Sequence, residues 1–138
     1  MRFLPLFLSL LLSACATLNE QQCRTLSSAA IGEADGRAGY PTTRFDDNQQ
    51  ACGKYQLTLD RDAYLTGRAR GLQDYCTPDN GTRVGLRGER YYGVCPKERE
   101  DAFLLKYWPA YVQFQRESYY GSYWAWPYRY WGYPPYWR

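Results

Sequence analysis

The chain contains no histidine, a single methionine and only three lysines, Lys54, Lys97 and Lys106. Without histidine there is no Ser-His-Asp triad, no imidazole general base and no histidine-bound catalytic zinc. Acid–base chemistry, if the chain performs any, falls to carboxylates. No CxxC pair exists and the cysteine spacings are long, so neither a four-cysteine zinc site nor any cofactor is expected. The glycines of 32–39 and 81–88 follow no strand with GxGxxG or GxxxxGK[ST] context, so nothing supports a phosphate cradle. A net charge of +3, falling to +2 once Arg2 is removed with a leader, is too weak to argue for nucleic acid. Also missing is an apolar run of the about 20 residues that a bilayer-spanning helix requires.

A shorter apolar run is present at the start. Arg2 supplies a positive end, and Phe3 to Leu12 form an apolar stretch broken only by Pro5 and Ser9. The run fits the core of a cleaved export signal. It ends in Leu12-Ser13-Ala14-Cys15, which resembles the lipobox of bacterial lipoproteins, where the cysteine is acylated and becomes the mature N-terminus. One acyl chain holds a membrane marginally and several hold it firmly. By the sorting rule of such lipoproteins, Ala16 after the cysteine implies the outer membrane of a two-membrane bacterium, with the protein expected to face the periplasm.

With Cys15 assigned to lipid, Cys23, Cys52, Cys76 and Cys95 remain, an even set in an oxidising compartment. Two disulfides are expected, and four cysteines allow three pairings. If the first two helices form an antiparallel hairpin around Pro41, Cys23 comes level with Cys52, and Cys76 then pairs with Cys95.

Patterning predicts a mainly α fold. A first helix is expected over 24–39, with Leu26, Ala29, Ala30 and Ile31 as its apolar face. Gly32, Gly36 and Gly39 lie along one side of it. Helical glycines cost about 1 kcal/mol each, which makes sense where another backbone packs close. A second helix is expected over 46–54, with Asp46 and Asp47 favourable at its start. A third runs from Asp60 as N-cap to Cys76, with Tyr64, Gly67, Arg68, Gly71, Leu72 and Tyr75 in its 3.6-residue pattern. Residues 77–81 read as a turn, and 81–93, with four glycines, as a short helix then loop or as loop throughout. Pro96 opens a fourth helix, which Pro109 is expected to kink or interrupt before it resumes toward Arg116.

Residues 32–39, Gly-Glu-Ala-Asp-Gly-Arg-Ala-Gly, resemble the GxxDGxxG element of domain of unknown function 2799, a family of uncharacterised proteobacterial lipoproteins. Tyr64, Gly67, Gly71, Leu72, Tyr75 and Cys76 resemble its YxxGxxxGLxxYC signature, and Asn80-Gly81, Gly85, Gly88, Val94-Cys95-Pro96 and Phe103 continue it. The resemblance covers roughly 22–107. It implies lipoprotein character and a cysteine framework, and it supplies no activity.

The expected organisation is a signal over 1–14, a lipidated linker over 15–22, a glycine-rich helical domain stapled by two disulfides over 23–118, and an aromatic, low-complexity tail over 119–138. Eleven of the tail's twenty residues are Tyr or Trp, with no Leu, Ile, Val or acid among them. Its prolines and glycines disfavour a long helix or a central strand. Were it extended, Trp124, Trp126, Tyr128 and Tyr130 would face one way as a contact surface. Their rings suit the C–H faces of sugars in peptidoglycan or lipopolysaccharide, the membrane interface, or another envelope protein. Against these stands a biased tail that folds back on the domain. Asp35 is the candidate acid of an alternative, a carboxylate-dependent enzyme of cell-wall metabolism; such an aspartate more often satisfies nearby backbone donors. Arg68 and Arg70 are expected on a solvated helix face. The leading expectation is a non-enzymatic, lipid-anchored envelope protein.

Overall fold

The computed structural model describes residues 18–130, with side chains as far as Tyr119; residues 1–17, on which the expected leader and Cys15 fall, and residues 131–138 lie outside the described residues. Among the described residues there are six helices and no strand: α1 (Glu20–Thr25), α2 (Ser28–Arg37), α3 (Arg44–Gly53), α4 (Arg61–Tyr75), α5 (Pro78–Leu86) and α6 (Lys97–Tyr130).

The first predicted helix is two helices. Asn19 and Gln22 form a capping box that starts α1, and Ser27 in extended backbone then caps α2 through its bond from Ala30 N–H. A serine oxygen that satisfies a free helix donor makes a new start more favourable than continuation. Asp60 caps α4 as expected, accepting from Ala63 N–H at 3.0 Å. The predicted turn at 77–81 is instead the start of α5. Thr77 is its N-cap and Pro78 its first residue, and Thr-Pro-Asp is as good a helix opening as a turn. Pro109 does not end α6, which runs through it. The lost hydrogen bond and ring clash cost about 3 kcal/mol, and the neighbouring Tyr107 and Ala110, both buried, offset it by packing.

Both expected disulfides are present, Cys23–Cys52 and Cys76–Cys95, with Cα–Cα distances of 5.5 and 5.6 Å. Each lies in its own apolar cluster. One holds Cys23, Ile31, Phe45, Cys52, Leu59 and Tyr64. The other holds Leu72, Tyr75, Cys76, Val84, Cys95, Phe103 and Tyr107.

The glycines explain the main pairings. A Cβ on Gly32 or Gly36 would sit under 3.0 Å from the Tyr64 or Arg68 carbonyl of α4, and one on Gly67 or Gly71 equally close to the Ala29 or Glu33 carbonyl of α2. The two backbones touch, so no larger residue fits.

The same joint is built a second time. Gly81 meets the Phe103 carbonyl and Tyr107 nitrogen of α6 as Gly32 meets the Tyr64 carbonyl and Arg68 nitrogen of α4. Gly85 meets Tyr107 and Tyr111 as Gly36 meets Arg68 and Leu72. Both glycine helices end in a left-handed glycine, Gly39 (φ 71°) and Gly88 (φ 68°). The paired bonds Tyr40 N–H to Asp35 and Gly39 N–H to Gly36 recur as Glu89 N–H to Val84 and Gly88 N–H to Gly85, the Schellman closure. A ring stands against each of these glycines, Tyr75 in one case and Phe114 in the other. The closing carbonyl is held alike: Arg68 Nη2 donates to Tyr40 O at 2.8 Å, and the Tyr107 hydroxyl donates to Glu89 O at 2.9 Å. In each unit the disulfide joins a cysteine ahead of the glycine helix to one ahead of its partner. The domain is therefore two copies of one glycine-jointed helix pair. Tyr75, closing the first, stacks on Phe103 of the second at 5.3 Å.

Candidate functional site

Two features stand out once the units are aligned. The first is a buried polar cluster in the first unit. Asp35, on α2 between Gly32 and Gly36, is 8 % exposed, and its Oδ2 accepts from the Tyr64 hydroxyl and from Asn48 Nδ2, both at 2.7 Å. The glycines bring α2 against α4 and so set the carboxylate over Tyr64. Phe45 of α3 packs edge-on against the Tyr64 ring, at 5.0 Å, and closes the cluster from above. Burial, with the bond to Asp35 adding to it, raises the Tyr64 hydroxyl above its ordinary value. Arg68 is pulled the other way: burial lowers its guanidinium, against the opposing charges of Tyr64 and Asp35. Its Nε is buried with no hydrogen-bond partner among the described residues.

The second feature is a cleft of about 470 Å³ at the junction of the units. The end of α2 contributes Arg37, Gly39 and Tyr40, the end of α4 contributes Tyr75, and α5 with the loop after it contributes Asn80, Arg87, Glu89, Arg90 and Tyr92. Its floor is rigid, because the Gly39 turn is pressed on the Tyr75 ring. Burial, followed by the nearby Glu89 charge, pushes the Tyr75 hydroxyl up to about 12. Tyr40 and Tyr92 give it open rings, 42 % and 53 % exposed. Two of its arginines are paired: Arg37 with Glu33 and Asp74, at 2.6 and 2.9 Å, and Arg87 with Glu89 at 2.6 Å. Arg90 lies over the Tyr92 ring, 5.6 Å from its centroid, and makes no carboxylate pair among the described residues.

The residues singled out in the sequence fall unevenly on these features. Asp35 is buried as a hydrogen-bonded acid, although its side-chain donors are Tyr64 and Asn48 rather than backbone groups. It does not line the cleft. Arg68 is not on a solvated face; it is 8 % exposed because the glycine contact draws its stretch of α4 against α2. Arg70 is exposed and pairs with Glu33 at 3.5 Å. Asp46 and Asp47 lie in the first turn of α3, and Asp62 in that of α4, as helix starts favour. The tail was expected to avoid long helix, yet residues 119–130 continue α6. In a helix the alternation that placed Trp124, Trp126, Tyr128 and Tyr130 on one face does not apply; the side chains of those four residues lie outside the described residues.

Sequence reasoning missed the cleft, whose lining comes from two units about 50 residues apart and has no local motif. It also missed an apolar stripe on the outer face of α6, where Leu105, Trp108 and Val112 are 72 %, 54 % and 41 % exposed. Their i, i+3, i+7 spacing was the available signal; the helix was instead expected to break at Pro109.

The fold defines a small, disulfide-stapled helical protein of two units with a cleft at their junction. The chain belongs to the family described as protein of unknown function (DUF2799), whose profile matches residues 29–111. That span opens at Ala29, which meets Gly67, and closes at Tyr111, which meets Gly85, so it takes in both glycine joints. Neither the curated proteins nor the solved structures contain a match.

Proposed function

We propose that the protein is a lipid-anchored lipoprotein of the cell envelope, held in the outer membrane facing the periplasm, that binds rather than catalyses. The observation that carries this reading is the fate of its cysteines. Of five, four are consumed in two disulfides, and the remaining one is Cys15, at the end of the lipobox-like segment. Persistent disulfides belong to an oxidising compartment, and a single thiol behind an export leader is the natural acceptor of lipid. The body then serves as a rigid mount. α6 leaves it after Phe114, with residues 115–119 all exposed, and carries the aromatic sequence toward glycan, lipid or another envelope protein.

Mass spectrometry of the native product tests the anchor: the expected N-terminus is acylated Cys15, and a retained leader or a bare thiol overturns it. Pull-down on purified peptidoglycan tests the contact, with loss of retention expected on deleting 119–138. Equal retention of the full and shortened chains removes glycan from the tail's partners. Glycan turnover that disappears with Asp35→Ala would replace the binding reading with the carboxylate-dependent enzyme.

A further inference from the structure

The cleft at the unit junction has its own chemistry, separate from that of the aromatic tail. Its volume, about 470 Å³, lies in the range of about 300–1,000 Å³ that small-ligand sites occupy. Its walls are preformed: two Schellman turns, at Gly39 and Gly88, set the backbone on either side, and neither glycine leaves space for a side chain. Three arginines face one carboxylate across it. Arg37 and Arg87 are already neutralised by their carboxylate partners. Arg90 has no carboxylate partner among the described residues; it lies over the Tyr92 ring and can turn its N–H groups to an incoming anion. Tyr40 carries Arg44 over one ring face, at 5.0 Å, and Tyr92 carries Arg90; the opposite faces, with their hydroxyl edges, suit the C–H face of a pyranose. Asn80, 9 % exposed, uses its Nδ2 on the Tyr75 carbonyl at 2.8 Å, which holds its amide in one orientation at the cleft wall.

We infer that this cleft binds a sugar ring bearing a carboxylate, the ring against Tyr92 and Tyr40 and the carboxylate on Arg90. The inference rests on the envelope reading for the ligand's availability, and it gives the body a sugar contact of its own beside that of the tail. Such free carboxylates occur on the acidic sugars of the lipopolysaccharide inner core, and on the muramic acid of peptidoglycan strands whose stem peptides have been cleaved off.

The test is calorimetric titration of the full-length lipidated chain, in detergent with both disulfides formed. Its probes are N-acetylmuramic acid, 3-deoxy-D-manno-octulosonic acid and the neutral N-acetylglucosamine. At least one acidic sugar is expected to bind about tenfold or more tightly than N-acetylglucosamine, since a charge-assisted bond contributes about 1.5–3 kcal/mol. Whichever acidic sugar binds better identifies the source. Arg90→Gln is expected to abolish the preference for the acid, and Tyr92→Ala to weaken binding of acidic and neutral sugars alike. Both side chains are exposed, so an unchanged thermal melt confirms that each variant is folded. Equal affinity for acidic and neutral sugars overturns the proposal, as does displacement by equimolar inorganic phosphate, which marks a plain anion site. No binding of either acid overturns it too. If the native N-terminus is acylated Cys15 in that case, only the cleft assignment falls and the envelope reading stands; a bare thiol or a retained leader fells both.

Discussion

Where the first unit lines its helix pair with Asp35, Tyr64 and Arg68, the second puts Val84, Phe103 and Tyr107 at the same stations relative to its glycines. Both sets are nearly out of water: Tyr64 and Phe103 are each 0 % exposed, and Val84 is 1 %. The backbones they serve are joined by equivalent contacts. Tyr107 even takes over the one hydrogen bond by which Arg68 holds the closing carbonyl. A neutral, mainly apolar set is therefore sufficient to build this joint. Burying a carboxylate and a guanidinium costs several kcal/mol before any pairing repays it, so the charged version in the first unit is an addition that the architecture does not require. Whatever it specifies, the backbone path is common to both.

The comparison breaks most severely at the glycines. In the first unit both helices contribute them: Gly32 and Gly36 from α2, Gly67 and Gly71 from α4. In the second, α5 alone contributes them, Gly81 and Gly85, and α6 carries Lys106 and Ala110 at the stations of Gly67 and Gly71. Gly67→Ala drives a Cβ onto the Ala29 backbone, which cannot give way as a flexible side chain can. The expected loss is more than about 3 kcal/mol, beyond the usual overpacking range, read as a fall in the urea midpoint. Gly85→Ala is expected to cost less, because the nearest backbone atom, the Tyr107 carbonyl oxygen, stands 2.6 Å from the added Cβ, against 1.9 Å for the Ala29 carbonyl oxygen at Gly67. Gly53→Ala, with nothing nearer than Gln49 Nε2 at 3.9 Å, is the control and should change stability by less than about 0.5 kcal/mol. Equal effects at Gly67 and Gly53 would show that the backbones are not in contact.

The duplication was only partly legible in the sequence. Gly32, Gly36 and Gly39 mark in the sequence a face against which another backbone packs, and Gly67 and Gly71 fall within the predicted third helix. Gly81, Gly85 and Gly88 repeat the same spacing, but Gly81 reads as part of a turn because Thr77-Pro78-Asp79 opens a helix with turn-forming residues. The repeat also has no fixed period. Its glycine helices are offset by 49 positions and their partners by 39, since the 89–96 loop stands where the first unit has α3. Between glycines almost no residue type recurs, because one unit is polar where the other is apolar. The disulfides and the Asp60 cap were legible for the opposite reason: each depends on a local or strongly paired chemical preference. The cleft depends on where two chain ends of different units meet, and only the fold supplies that.

A smaller effect sharpens the polar difference itself. Asp35→Val, which gives the first unit the residue of the second, strands the buried Tyr64 hydroxyl and Asn48 amide and is expected to cost about 1–3 kcal/mol. Adding Tyr64→Phe removes one stranded group, so the double variant should be less destabilised than the sum of the two singles. Chemical denaturation of the four members of the cycle measures this coupling, expected at about 0.5–3 kcal/mol. Strict additivity would mean that the carboxylate and hydroxyl do not support one another.

The smallest expected effect is alkaline and falls on the seam between the units. Burial pushes the Tyr75 and Tyr91 hydroxyls up to about 12, against about 10 in an unfolded chain. A raised folded value means that the neutral hydroxyl is favoured by folding. Its contribution is complete below about pH 10 and is lost as pH rises through about 12. Thermal melts should therefore hold steady from pH 7 to 9 and decline from pH 10 upward. Tyr75→Phe keeps the ring that stacks on Phe103 and removes its proton, so it is expected to flatten part of that decline while leaving the neutral-pH melt nearly unchanged. An alkaline slope identical in wild type and Tyr75→Phe would place that hydroxyl in water, and with it the floor of the cleft.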